Sequence, residues 1–304
     1  MLTRRDFLKS LSAFVLSSLF SSAVPEKTLA SSPRKPDRIP FLSVARGKDK
    51  AALVDAVLDP LGGMSAFVKK GDRVTIKPNA AWSRTPEQAA NVHPEILKRI
   101  INMCYESGAR DVRVVEHTCD NYRSAFKING IREAVSETRA SLHPLENKGD
   151  FVSVSVPKGI RLKKARIAKA IVDADVYINV PIAKTHGAAT LTLSMKNHMG
   201  AVEDRWFFHM NDLHHCIADV STVLQPDLTI VDATRIMTTN GPKGPGDVRV
   251  EDTLIAGNDQ VALDAYATTL FDYTVDDVPY IRYAYEHGLG EIDMSKMTVK
   301  TVTV

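Results

Sequence analysis

Arg73-Val74-Thr75-Ile76-Lys77-Pro78-Asn79, then Pro94-Glu95-Ile96-Leu97 through Tyr105 and Gly108, then Val112-Arg113-Val114-Val115-Glu116-His117 is the stretch that decides the fold. The first segment is a short β-branched run closed by a proline, the pattern of a strand. In the second, Ile96, Leu97, Ile100, Ile101 and Cys104 recur at helical spacing, and Gly108 supplies the residue that ends a helix. The third is another strand. Strand, helix, strand in this order is a βαβ unit, and its two strands run parallel.

The same rhythm extends outward. Residues 51–61 carry Leu53, Val54, Val57 and Leu58 on one helical face. Helices are expected over 125–138, 165–172, 191–199, 213–224, 261–271 (capped by Asn258 or Asp259) and 279–287. Strands are expected over 141–145, 151–156, 176–180 (stopped by Pro181), 228–231, 253–257 and 297–304, and a Gly/Pro-rich loop over 238–246. Alternating strands and helices without a repeat or a strong linker predict one α/β domain over 41–304, with a single mainly parallel, Rossmann-like sheet flanked by helices.

Composition excludes more than it proposes. The 304 residues are 44% hydrophobic and 25% charged, so a core is affordable in size and a disordered chain is excluded. Lys+Arg 39 against Asp+Glu 36 is far from the basic excess of a nucleic-acid binder. Cys104, Cys119 and Cys216 are isolated, with no Cys-x-x-Cys, so neither a disulfide framework nor a zinc ribbon is expected.

Residues 1–30 read as an address. Arg4-Arg5-Asp6-Phe7-Leu8-Lys9 precedes a serine-diluted apolar run from Leu11 to Phe20, too short for a comfortable membrane span. Arg4, Arg5, Phe7 and Leu8 give it the pattern of a twin-arginine export signal. The expected partner during export is the twin-arginine translocase and the expected location is the periplasm, with membrane association if the signal stays attached. Cleavage after Ala30 is preferred to cleavage after Ala23, leaving 31–40 as an exposed tail. Removing the four basic and two acidic groups of this segment lowers the excess from +3 to +1.

Ligands of parallel α/β sheets bind beyond the carboxyl ends of the strands. Those ends here deliver Lys77-Pro78-Asn79, Glu116-His117-Thr118-Cys119-Asp120, Lys184-Thr185-His186 and Asp232. Apolar runs that finish in charged groups must place them at a cleft, because a buried unpaired charge is costly. Lys77 and Lys184 at these ends, joined by Lys196 and Asn197 of the helix that follows, are expected to hold a small anion, carboxylate or phosphate, with Asn79 and Asn197 orienting it. His186 or His117 is the expected proton-transfer group, with Asp232 as partner. Cys119, two residues from His117, offers a further nucleophile.

These residues also carry a resemblance. Lys77-Pro78-Asn79, Val180-Pro181-Ile182-Ala183-Lys184-Thr185-His186, Leu193-Ser194-Met195-Lys196-Asn197-His198-Met199-Gly200, Asp232-Ala233 and Asn258-Asp259-Gln260-Val261-Ala262-Leu263-Asp264 are similar to the domain-of-unknown-function 362 family over about residues 40–275. Some members carry a ferredoxin-like iron–sulfur module. The isolated cysteines depart from it, and no four-cysteine cluster is expected here.

Two further sites are legible as expectations. His209, His214, His215 and Asp219 offer a divalent-metal set, with His215 and Asp219 four apart on one helical face. The segment Asn240-Gly241-Pro242-Lys243-Gly244-Pro245-Gly246 offers a mobile cover, or amides that cradle an oxyanion. Two function classes follow. One is an exported enzyme acting on a small anionic substrate at the strand ends. The other is a non-catalytic metal- or cofactor-binding accessory of a periplasmic redox system, with a redox partner protein.

Overall fold

A computed structural model describes residues 41–304 of the chain. The export signal and the tail expected over 31–40 lie outside the described residues. In chain order the elements are β1 (Phe41–Arg46), α1 (Lys50–Leu58), β2 (Arg73–Pro78), α2 (Pro94–Glu106), β3 (Asp111–Glu116), α3 (Tyr122–Ile128), α4 (Ile131–Ser136), β4 (Ser141–Pro144), β5 (Phe151–Ser155), β6 (Lys164–Ala168) and α5 (Lys169–Val172). Then come β7 (Val176–Val180), β8 (Ile182–His186), β9 (Thr190–Thr192), α6 (Ser194–Asn197), α7 (Arg205–Met210), α8 (Leu213–Ser221), β10 (Leu228–Met237), β11 (Val248–Gly257), α9 (Gln260–Thr268), α10 (Pro279–Glu286) and β12 (Thr298–Thr303).

Ten strands form one mixed sheet in the order β12-β1-β11-β10-β7-β2-β3-β4, with β8 added to β10 and β9 to β8. The run β10, β7, β2, β3, β4 is parallel throughout. β11 runs antiparallel to β10 and β1, and β9 antiparallel to β8. β5 and β6 form a separate antiparallel hairpin.

The two-residue period of the strands divides the core into two layers. Val74, Ile76, Ile178, Val180, Leu228 and Ile230 face one side, where α1 and α2 bring Leu53, Val57, Ile96 and Ile100. Tyr177, Val231, Ala233 and Ile255 face the other, against Ile217, Val220, Val261 and Ile281 of α8, α9 and α10. The expected mainly parallel α/β sheet flanked by helices is observed. α2 shows how locally its bounds are set. His93 caps it through Nδ1, Pro94 opens it, and Gly108 leaves it at φ +97°, where a Cβ would meet Lys70 Cα at 3.1 Å.

The structure corrects three of the expected elements. Residues 165–172 are strand β6 followed by one turn, because Ala165 and Ile167 alternate with exposed residues and pair with β5. The strand expected over 176–180 is observed as β7 and ends before Pro181, and β8 starts as a separate strand at Ile182. The Pro181 carbonyl still accepts from Asp232 N at 2.8 Å, and β8 goes on to pair with β10. Residues 191–199 hold the end of β9 and the short α6 rather than one helix. The helix expected over 125–138 is split into α3 and α4 at Gly130, which stands at φ +76°.

Candidate functional site

Lys77 and Asn179 are register partners on β2 and β7, and both side chains lie on the sheet face that α6 covers. Asn197 of α6 ties them together. Its Nδ2 donates to Asn179 Oδ1 at 2.8 Å, and its Oδ1 accepts from Lys77 Nζ at 2.8 Å and from Asn79 Nδ2 at 3.1 Å. Asn179 Nδ2 donates in turn to Ser194 O at 3.0 Å. This chain of amides links the carboxyl ends of two strands to the segment that carries Lys196.

Lys77 is 1% exposed and compensated. Its ammonium also donates to Pro78 O at 2.9 Å and to Glu116 Oε2 at 3.0 Å, and Glu116 is itself buried at the end of β3. Glu116 Oε2 accepts a further bond from Ala80 N at 2.8 Å. Burial pushes the lysine down and the carboxyl up, and each is opposed by the charge and hydrogen bond of the other. Gly200 makes the pair sterically feasible. A Cβ there would stand 1.9 Å from Glu116 Oε1 and 2.4 Å from Lys77 Nζ. Glu116 Oε1 and Thr192 Oγ1 are buried and have no hydrogen-bond partner among the described residues.

The other two lysines are held differently. Lys184 donates only to neutral oxygens, Asn79 Oδ1 at 3.3 Å and Ala90 O. Burial lowers its pKa to about 7. Lys196 is 8% exposed, and among the described residues no hydrogen bond or ion pair engages its ammonium. Burial first, then the Arg205 and Lys77 charges, lower it to about 8, with Cys119 acting in the opposite sense. Asp264, raised to about 8 by burial, accepts from the backbone N–H of Ser194 and Met195 at 2.8 and 3.0 Å and so fixes the start of α6.

Lys77, Asn79, Lys184, Lys196 and Asn197 all line one cavity of about 450 Å³, with Glu116, Cys119, His186, Arg205, Trp206 and His209. Sequence reasoning brought the first five to one edge. It missed Arg205, which donates to His117 O and Thr118 O at 2.9 Å and to Cys119 Sγ at 3.0 Å, and it missed Trp206, 71% exposed at the mouth. No periodicity singles out these residues on the six-residue α7.

The expected catalytic histidines and Asp232 need correction. His186 lines the cavity, but its Nδ1 accepts from Ala188 N and Ala189 N, both at 3.1 Å. The ring is therefore neutral with its proton on Nε2, a hydrogen-bond donor and not a base. Burial and the Lys196 and Lys184 charges hold it far below the usual histidine range. His117 spends Nδ1 on Val202 O at 2.9 Å and packs edge-on against Phe151, and it is not among the residues that line the cavity. Asp232 accepts from His93 N, Thr234 N, Thr234 Oγ1 and Arg235 Nη1 at 2.7–3.0 Å, which leaves it no histidine to orient.

The expected metal set is dispersed. Asp219 is buried and takes the amides of Ile160, Arg161 and Leu162 together with His287 Nε2. His215 pairs with Asp212 at 2.8 Å and stacks on Tyr283, while His214 stacks on Tyr280. Among the described residues no group of three or more His, Cys, Asp or Glu side chains is placed to hold a metal ion. The 240–246 loop is pinned rather than mobile. Arg84 grips its carbonyls at Lys243 and Gly244, Lys243 pairs with Asp120 at 2.8 Å, and the Gly241 amide is spent on Thr185 Oγ1. The loop reaches the cavity through Pro242, which has no N–H to offer an oxyanion.

Comparison with known proteins gives one curated relative, a thylakoid-associated protein of Synechocystis sp., 28% identical over 247 residues that cover 79% of this chain and 75% of that protein. The solved structures found in the comparison include a structural-genomics target from Thermotoga maritima (TM-score 0.47, 11% identity) and the lactate racemase apoprotein of Thermoanaerobacterium thermosaccharolyticum (TM-score 0.48, 10% identity). The matches cover 75% and 77% of this chain but only 60% and 57% of those structures. The family described as "Domain of unknown function (DUF362)" matches residues 74–269, the stretch that builds β2 through α9 and carries every lysine of the cavity, and the chain belongs to that family.

Proposed function

We propose that this protein is an exported enzyme that binds a small carboxylate- or phosphate-bearing molecule in the cavity at the carboxyl ends of β2, β3 and β8. The observation that carries this reading is the charge balance of the cavity wall. Lys77 is neutralised by Glu116, whereas Lys184 touches only neutral oxygens and Lys196 touches no acceptor among the described residues. Desolvated cations are expensive, and an anion seated between them supplies the missing counter-charge in a medium where it counts strongly. His186 adds a neutral Nε2–H donor and Arg205 adds further N–H groups at the rim.

Proton transfer in this reading belongs to Lys184 rather than to a histidine. An amine whose pKa lies near 7 is populated in both forms at neutral pH, as general acid–base work requires. Export rests on the twin-arginine pattern at Arg4 and Arg5. The thylakoid association of the Synechocystis relative agrees with a place of action at or beyond a membrane, and among the described residues no helix is long and apolar enough to cross one.

A thermal-shift screen of the purified protein against small mono- and dicarboxylates and inorganic phosphate tests the reading. Saturable stabilisation by at least one anion class, reduced in Lys184→Met, is the expected result. No shift with any anion overturns it.

A further inference from the structure

We infer that Lys196 is a covalent nucleophile toward a carbonyl group, so that the anionic ligand of this cavity is an oxo acid that the protein binds as an imine. The inference rests on the anion-site reading above and adds a chemical class to it.

The three lysines differ in what holds their nitrogen. Lys77 donates to three acceptors, one of them a carboxylate. Lys184 donates to two carbonyl oxygens, which orient its N–H groups and tie down the amine. Lys196 lines the same cavity, is more than nine-tenths buried, and has no acceptor among the described residues. An amine must shed a proton and turn its lone pair toward the carbonyl carbon before it can attack. Only Lys196 can do so without breaking a hydrogen bond already made.

Its surroundings favour the neutral amine. Lysines become nucleophilic when they are desolvated or stand beside another cation. Lys196 meets both conditions, since it is buried and feels the positive charges of Arg205 and Lys77. Its backbone is fixed from both sides, by Asp264 on the amides that open α6 and by the Asn197 bridge to Lys77 and Asn179. The nitrogen is thus presented by a rigid segment on a free side chain, as a positioned nucleophile needs.

The step balances without an oxidant or reductant. The Lys196 amine attacks the carbonyl carbon and a C–N bond forms. The carbonyl oxygen takes one proton from the attacking nitrogen to give the carbinolamine and a second from the Lys184 ammonium, and it leaves as water when the C–O bond breaks. The resulting protonated C=N is an electron sink that makes the neighbouring C–H or C–C bond labile. The carboxylate of the oxo acid takes the place of the missing counter-charge beside Lys184.

Borohydride trapping tests this on the native chain. The protein is incubated with pyruvate or glyoxylate, reduced with sodium borohydride, digested and mapped by mass spectrometry. The expected result is one reduced adduct per chain on the peptide that contains Lys196, with Lys77 and Lys184 unmodified. Lys196→Arg keeps the charge and should bind the oxo acid in a thermal-shift assay without forming the adduct. The mapping on the native chain decides the matter even if that variant fails to fold. An oxo acid that stabilises the protein but leaves Lys196 unmodified overturns the imine and leaves the anion site standing. Adducts confined to exposed lysines such as Lys69 or Lys70 overturn it as well. Neither stabilisation nor adduct, with oxo acids and with all other anions, removes both readings.

Discussion

The two ends of the cavity solve the same electrostatic problem in opposite ways. At the β2–β3 end, Lys77 meets Glu116, three oxygens satisfy its ammonium, and Gly200 gives up a side chain to let the pair close. At the β8–α6 end, Lys184 and Lys196 are also buried, yet among the described residues no carboxylate pairs with either. A compensated buried charge holds a fold in register, whereas an uncompensated one costs stability and is retained where something else is gained. The difference separates a lysine answered within the fold from the two lysines to which the proposed reading assigns an anionic ligand.

The sharpest way to break this contrast is to remove Lys77. Lys77→Met strands Glu116 as a buried lone carboxylate, and breaking such a pair costs about 3–5 kcal/mol. The variant should be recovered poorly or melt far below the parent in a denaturant titration. Gly200→Ala attacks the same end by steric means. Its methyl group must displace both Glu116 Oε1 and Lys77 Nζ, and overpacking of this kind costs about 1–3 kcal/mol.

The opposite end should behave in the opposite sense. Lys196→Met removes an unanswered cation and keeps the volume, so the ligand-free protein should be as stable as the parent or more so. A gain of about 1 kcal/mol would appear as a rise of about 2–4 °C in Tm. Anion affinity should nevertheless fall by about tenfold or more, equivalent to about 1.4 kcal/mol of lost attraction. If Lys196→Met instead loses stability like Lys77→Met, the two ends do not differ.

Acidity gives a smaller and graded effect. The folded-state pKa of Lys184, about 7, and of Lys196, about 8, lie below the unfolded value of 10.5. Between those limits the unfolded chain binds more protons than the folded one, so the contribution of these lysines to stability rises with pH and levels off once the unfolded lysines also titrate. Below about 7 both states are protonated and the penalty of burying the charges is fully present. Thermal melts of the ligand-free protein should show this rise above pH 7, and the double variant Lys184→Met/Lys196→Met should flatten it. Anion binding has the reverse slope, because it needs the ammonium form and weakens as pH climbs through 7 and 8. His186→Gln should give the smallest change, a few-fold in affinity with no shift in the pH midpoint, since the imidazole stays neutral throughout.

Much of the scaffold could be read from residue order. The alternation of Val74, Ile76, Ile178 and Val180 against Lys77 and Asn179 marks strands with one apolar face, and strand ends that finish in lysine mark the edge where a cleft must lie. Lys77, Asn79 and Lys184 are brought to one cavity by that logic, and Lys196 and Asn197 join them from the segment that follows β9. The misread pieces are short. In residues 165–172 the apolar positions fit a helix or a strand equally well, and pairing with β5 decides between them. The histidine roles were not legible because they turn on lone pairs. Nothing in the order of residues shows that the amides of Ala188 and Ala189 fold back onto His186 Nδ1, or that Asp232 is consumed by Arg235 and two neighbouring amides. Arg205 escaped for a related reason, since its position is set by carbonyls at the end of β3, distant in sequence.

The central claim is that the unanswered lysines at the ends of the parallel strands form an anion site. Calorimetric titration of the parent protein and of Lys196→Met with the anion that shifts the parent most tests it directly. Saturable one-to-one binding in the parent that collapses in a well-folded Lys196→Met is the result this account predicts. Equal binding by both proteins, or no binding by the parent, would contradict it.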